Sequence, residues 1–369
     1  MKLMKTTEAV GQVLCHDITQ IIPGVKKDAV FRKGHIITKE DIPVLLSVGK
    51  DTIYIWENDE TMMHENEAAE VLYRMSACGT NSNEADAEGH CEAAESGVFG
   101  GTTSKMHPSP VKEGKIEVIA DCDGLLKVDS EKLKKVNSFG EMMIATRHGN
   151  TTVKKGDKLA GTRIIPLVIK KDKLEAASHI CDDGPILDIK PFVVRKVAII
   201  TTGNEVYHGR IQDAFTPVIE KKIAEFGAQM VFHEVFDDDD QKITDGCLRA
   251  IEAGAEIVFC TGGMSVDPDD KTPLAIKNTG ARIVSYGSPV LPGAMFLLSY
   301  YDAGDRLVPI CGLPGCAMYN KRTIFDIVLP RLMACDMILA DELAGLGEGG
   351  LCLNCDVCTF PNCGFGKGF

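Results

Sequence analysis

"EIVFCTGGMSVDPDD" occupies Glu256–Asp270. Its first half is a short apolar run with β-branched and aromatic residues, which predicts a buried strand. Gly262 and Gly263 follow at once and predict a tight exit. A hydroxyl at Ser265 and three acids, Asp267, Asp269 and Asp270, come next. A plain turn has no need of so many carboxylates. The stretch therefore predicts a strand whose carboxyl end carries a site.

The neighbouring sequence repeats the pattern. "KVAII" predicts a strand that exits through "TTGNE" (201–205), and "AQMVFHEVF" one that exits through "DDDD" (237–240). "LVPIC" leads into "GLPG" (312–315), and "ARIVSYG" reads as a further strand. Helices separate them. One takes Thr216 as its cap and Pro217 at its first position, and stops at Gly227. A second is "QKITDGCLRAIEAG", a third starts with "KTPLAIKNTG", and a fourth is "CAMYNKRTIFDIVLPRLMAC". Such alternation predicts a parallel sheet covered by helices on both faces.

Ligands of open parallel sheets bind beyond the carboxyl ends of the strands, so the four exits are expected on one edge. Gly203, Gly262, Gly263, Gly312 and Gly315, with Pro314, would let backbone approach a ligand. Backbone N–H groups there suit a phosphate, with the hydroxyls of Thr201, Thr261 and Ser265 beside them. Carboxylates next to a phosphate repel it unless a hard cation lies between, and Mg²⁺ takes few carboxylates plus waters and phosphates. Glu205, Asp237, Asp238 and Asp270 therefore read as a Mg²⁺-bridged phosphate or oxyanion site, with Asp238 and Asp270 nearest the metal. The exit of the first strand, "TTGNEV", is not the Gly-x-Gly-x-x-Gly of a dinucleotide fold, and no Walker-type phosphate loop or Gly-x-Ser-x-Gly elbow is present.

The chain has 369 residues and a formal net charge of −13. That length predicts two or three domains. The charge argues against broad nucleic-acid binding, which rests on neutralising phosphates. No apolar run reaches the roughly 18 residues of a membrane span. The opening residues lack a signal peptide's apolar core, so a cytoplasmic location is expected. Residues 1–57 read as a small α+β segment with a helix capped at Thr38. Residues 58–110 read as a helix followed by a Gly-, Ser-, Asn- and Glu-rich mobile insert. Residues 111–194 read as a β-rich domain of hairpins or a small barrel, and 195–335 as the α/β domain. Residues 336–369 form a cysteine-rich tail.

"TTGNEV", "FDDD", "TGGMSVDPDDKTP" and "GLPG" resemble, in order and spacing, the molybdopterin-binding domain of molybdenum cofactor biosynthesis proteins. The nearest resemblance is to the molybdopterin molybdenumtransferase (molybdenum insertase) family. It implies a multidomain α/β protein with a parallel-sheet molybdopterin-binding domain and a β-rich N-terminal region. It further implies binding of adenylated molybdopterin and insertion of molybdate with Mg²⁺-assisted release of AMP. Glu205, Asp237 or Asp238, and Asp270 match the family's acids, while Gly312, Pro314 and Gly315 match its pterin-contacting loop. The chain departs from the family at Asn204, at Cys316 and Ala317, and at Val290–Leu291, where a lysine is usual. A second implication stays open: a non-catalytic molybdopterin carrier, or a partner of a molybdoenzyme or other cofactor-biosynthesis protein. Family members tend to be homodimers.

The chain has 14 cysteines, four of them in "CLNCDVCTFPNC" at Cys352, Cys355, Cys358 and Cys363. This spacing suits tetrahedral zinc or an iron–sulfur cluster. The flanks "GLGEGG" and "GFGKGF" read as mobile unless a metal orders them.

Overall fold

The computed structural model describes residues 2–22, 26–55, 59–78, 105–265, 267 and 270–368. Residues 79–104 of the insert read at 78–110, and Val266, Pro268 and Asp269 of the opening stretch, lie outside the described residues; the end of that insert is not mobile loop but a strand, Met106–Pro108. The chain divides into two compact units.

One unit comprises Met1–Asp121, Val128–Arg147 and Gly156–Asp188. Lys2–Lys5 pairs antiparallel with Thr52–Ile55 over a small core of Leu14, Ile18, Ile37, Leu45 and Ile53. The short helix nearby is Asp41–Ser47. Its entry is not capped by the Thr38 hydroxyl. Instead the Asp41 carboxylate accepts the Thr38 N–H at 2.8 Å. An open antiparallel sheet runs in the order Met106–Pro108, Lys115–Ala120, Lys158–Ile164 and Met142–Thr146, with helix Glu65–Ala77 in the same unit. The β-rich reading of this stretch missed two helices, Ser130–Ser138 and Lys171–Ser178. The first was legible: Asp129 accepts the Lys132 N–H at 2.9 Å, an ordinary aspartate cap.

The other unit comprises Cys122–Lys127, His148–Lys155 and Ile189–Phe369. Its strands are β1 (Lys196–Thr202), β2 (Gln229–Phe236), β3 (Ile257–Thr261), β4 (Arg282–Tyr286), β5 (Leu297–Asp302) and β6 (Leu307–Leu313). They form one sheet in the order β2-β1-β3-β6-β5-β4. The first four are mutually parallel; β5 is antiparallel to both of its neighbours, β6 and β4, so it alone runs the other way. The sheet is therefore mixed. β5 was missed because its apolar run "FLLSYYD" follows the turn signals of Pro292 and Gly293.

Helices α1 (Phe215–Ala224), α2 (Asp240–Glu252), α3 (Thr272–Asn278) and α4 (Ile324–Met333) cover both faces. The period-2 rule sorts them. Val197 and Ile199 of β1 join Ile219 and Ile223 of α1 and Phe325, Val328 and Leu332 of α4. Ala198 and Ile200 point the other way, into a cluster with Ile243, Cys247 and Ala250 of α2 and Ala275 and Ile276 of α3. The alternate residues of one strand thus serve two cores. At about 25 cal/mol per Å² of apolar area, this double burial is what makes such a sheet stable.

Two helix starts differ from the sequence reading. α1 is capped by Asp213, whose Oδ1 accepts the N–H groups of Phe215 at 2.8 Å and Thr216 at 3.1 Å. α4 does not begin at Cys316. A 3₁₀ turn covers Gly315–Met318, and α4 then starts with a capping box between Thr323 and Asp326.

Candidate functional site

The register places the four exits side by side. Thr202 lies level with Phe236, Thr201 with Thr261, and Thr261 with Leu313. "TTGNE", "DDDD", "TGGMSVDPDD" and the end of "GLPG" therefore leave one edge of the sheet in the order β2, β1, β3, β6. Residues far apart in sequence meet because parallel strands end together.

The glycines of this edge do different jobs. Gly262 has φ +82°, and a Cβ there would lie 2.1 Å from the Thr202 carbonyl oxygen. Gly263 (φ +54°) would likewise crowd the Thr272 hydroxyl at 2.8 Å. Both let the β3 exit pack on β1, so the close approach is to the protein's own backbone. Gly312 belongs to β6 and lies under Met264, whose sulfur would be 2.4 Å from a Cβ. Gly315 is exposed and has open space around it, while Pro314 before it is buried. Of these, Gly315 is the glycine that leaves backbone free to a ligand.

The hydroxyls are mostly engaged inside the protein. Thr201 and Thr261 are buried. Thr201 Oγ1 donates to Asp213 Oδ2 at 2.8 Å, and Thr261 Oγ1 to the Ile200 carbonyl at 3.5 Å. They shape the edge. Ser265 is exposed. Asp213 is the residue that sequence reading missed. It binds Thr201, Thr216 at 2.6 Å and the two α1 N–H groups, with His233 Nε2 at 3.4 Å. Burial pushes its carboxyl up, but the hydrogen bonds from Thr216 and Thr201 outweigh this and hold it below its ordinary value. The signal was available: an acid two residues before a helix start is a capping pattern.

The acids divide into satisfied and unsatisfied. Asp238 accepts the Asn204 N–H at 3.1 Å and ties the β2 exit to the β1 exit. Asp239 caps α2 through the N–H groups of Gln241 and Lys242. Glu205 is exposed, and its carboxylate lies over Gly203, 2.9 Å from where a Cβ would stand. Asp237 pairs with Lys242 through Oδ2 at 2.7 Å, yet its Oδ1 is buried without a partner. Asp270 Oδ2 is also buried without a partner. A buried acceptor left unmatched costs on the order of 1–3 kcal/mol, so these two oxygens stand out on this edge.

The tail follows another logic. Among the described residues no three His, Cys, Asp or Glu side chains gather in a way that could hold a metal, Cys352, Cys355, Cys358 and Cys363 included. The thiol cluster expected from the spacing is not assembled. Apolar anchors order the tail instead. Phe365 is 6% exposed within the α1/α4 core, and Phe360, Cys352 and Cys363 pack against the same core. The flanking glycines are close-packed as well: a Cβ at Gly366 would meet Ile327 at 2.5 Å, and one at Gly350 the Pro289 carbonyl at 2.4 Å. Leu291 exchanges backbone hydrogen bonds with Gly350 and Cys352, both at 2.8 Å. Arg322 stacks on Phe360 at 5.0 Å. The exposed Cys358 thiol is pulled down by the Phe360 N–H and then by the Arg322 guanidinium.

Parts of the chain resemble known proteins. Residues 198–334 match the family described as probable molybdopterin binding domain, and residues 3–57 a domain of unknown function. A molybdopterin molybdenumtransferase from Nostoc sp. is 24% identical over 197 residues, covering 52% of this chain and 42% of the relative. A putative competence-damage inducible protein from Bacillus velezensis is 28% identical over 90 residues, covering 24% of this chain and 21% of the relative. The chain thus spans less than half the length of either relative. The crystal structure of tungsten cofactor synthesizing protein MoaB from Pyrococcus furiosus aligns with a TM-score of 0.31 and 20% identity, over 38% of this chain and 88% of that one. No helix among the described residues is long and apolar enough to cross a membrane. The match to the probable molybdopterin binding domain family thus falls on the unit that carries the strand-exit edge.

Proposed function

We propose that the chain acts in molybdenum cofactor biosynthesis. In this reading it binds adenylated molybdopterin along the exits of β2, β1, β3 and β6 and inserts molybdate with Mg²⁺-dependent release of AMP. The observation that carries the reading is the pair of partnerless buried oxygens, Asp237 Oδ1 and Asp270 Oδ2. They belong to the exits of β2 and β3, the two strands that flank β1. Hard-cation chemistry suits such a donor set: few carboxylates, with the remaining positions left to water and phosphate. Asp237 and Asp270 would hold Mg²⁺. When bound, Mg²⁺ neutralises charge that develops on a phosphate oxygen.

The chain's own residues have separate roles. Asp238, through the Asn204 N–H, keeps the β1 exit fixed beside the metal carboxylates. Glu205, folded back over Gly203, orients the reacting oxyanion side. The open backbone at Gly315 and the exposed Ser265 hydroxyl supply donors to the pterin phosphate. Asp213 is a positioning residue, because it locks Thr201 at the end of β1 and α1 behind it. A molybdoenzyme or another cofactor-biosynthesis protein would receive the product.

A second reading, a molybdopterin carrier without turnover, is favoured by one observation. No three acids gather on the edge among the described residues. One experiment separates the two. The purified protein is incubated with adenylated molybdopterin, molybdate and Mg²⁺, and AMP is measured. Catalytic AMP release that is lost in Asp270→Asn supports the insertase. Stoichiometric pterin binding with no AMP supports the carrier and refutes the insertase.

A further inference from the structure

The unit of Met1–Asp121, Val128–Arg147 and Gly156–Asp188 holds a cleft of about 1140 Å³. That volume suits a nucleotide- or cofactor-sized ligand. In a chain of net charge −13, the cleft is lined by Arg32, Lys33, Lys50, Lys112, Lys115 and Arg163. Its acids have internal partners. Asp17 accepts the Lys33 N–H at 2.7 Å, Asp28 the Ala29 N–H at 2.8 Å, and Glu113 the Thr19 hydroxyl at 2.8 Å. Glu117 pairs with Lys115 at 2.9 Å and Lys158 at 2.7 Å. Glu65 is 9% exposed, and burial raises its pKa against the pull of Arg163.

The cations are not matched in the same way. Among the described residues, the side chains of Arg32, Lys50, Lys112 and Arg163 make no hydrogen bond or ion pair. The lining as a whole is nearly balanced, six cations against five acids, so the case rests on these four cations, which have no hydrogen-bonded or ion-paired partner to give up when an anion enters. Two histidines complete the wall. His64 is fixed by the Cys15 carbonyl at 2.8 Å and the Asn66 N–H at 3.2 Å. His16 keeps a buried Nδ1 without a partner. Burial, then the charges of Lys50 and His64, lowers the His16 pKa.

We infer that this cleft binds a phosphate-bearing small molecule of nucleotide size, held by Arg32, Lys50, Lys112 and Arg163. Neither family match assigns such a site, and the inference does not depend on the reading of the strand-exit edge.

The test is calorimetric titration of the full-length protein with inorganic pyrophosphate and with ATP, at low and high salt and without divalent cations. Two double variants are compared, Arg32→Gln with Arg163→Gln, and Lys50→Gln with Lys112→Gln. Binding of at least one probe is expected to weaken with salt and to fall about tenfold or more in each double variant. The melting temperature should stay unchanged in the Lys50→Gln with Lys112→Gln variant, whose side chains make no internal hydrogen bond or ion pair, and this variant separates loss of binding from loss of the Arg163 charge beside Glu65. No binding of either probe overturns the inference. So does equal binding in wild type and both double variants. Binding that survives the double variants but disappears in Asp270→Asn belongs to the other unit and overturns it too.

Discussion

The strand-exit edge and the cysteine tail present opposite cases of how ligands come together. The edge draws its carboxylates from segments as distant as Glu205 and Asp270, and parallel strands ending in register bring those exits to one edge, although no three acids gather there among the described residues. The tail has four thiols within Cys352–Cys363, and they do not converge. Proximity in sequence is a poor guide to a site unless the backbone between the ligands folds back on itself. Topology gathers the edge. In the tail, Phe360 and Phe365 are drawn into the core, and the backbone course that serves them leaves Cys355 and Cys358 exposed.

If apolar anchoring orders the tail, the largest effect should come from Phe365→Ala. A Phe→Ala change in a core costs about 3 kcal/mol or more, and Phe365 is nearly buried. Urea unfolding should show that loss, with hydrogen exchange accelerated across residues 350–368. A drop under about 0.5 kcal/mol would mean the tail is not docked as described.

Asp336 offers a calibration for the unpartnered acids, because it is a buried acid with every need met. Lys127 lies at 2.8 Å, Arg331 at 2.6 Å and Lys190 at 2.5 Å. Burial raises its pKa, but hydrogen bonds from Lys127 and Lys190 and the charge of Arg331 outweigh it and bring it to about 2. The unfolded value is roughly 3.9. The contribution is therefore whole above about pH 4 and lost as pH falls to about 2. Discounted for solvent screening, unfolding free energy should drop by ~1 kcal/mol across that window. Asp336→Asn should flatten this step, and an unchanged acid titration in that variant would refute it.

The smallest effect is expected from Cys355→Ser with Cys358→Ser. Both thiols are exposed, so stability should change by less than about 0.5 kcal/mol. A large loss, reversed by zinc or iron in the wild type only, would restore the metal reading of the tail.

The parallel core was legible because "KVAII", "EIVFC" and "LVPIC" are short apolar runs with turn signals at their ends. Their shared edge followed from topology alone. Asp213 was hidden by Thr216, since two capping residues lie close together and only one does the work. The packing role of Gly262 was not legible, because a glycine at a turn signals close approach without saying to what; the Thr202 carbonyl is one such neighbour. The cleft between Arg32 and Arg163 left no trace, because its cations come from separate segments of no shared period.

The central claim is that Asp237 and Asp270 keep buried oxygens for a cation. Calorimetric titration with Mg²⁺ tests it without any substrate. Wild type should bind Mg²⁺, and Asp237→Asn with Asp270→Asn should bind it at least about tenfold more weakly. The melting temperature of that variant should change little, since the partnerless oxygens are relieved while the pair of Asp237 with the exposed Lys242 is given up. Equal Mg²⁺ affinity in wild type and the double variant would contradict the account.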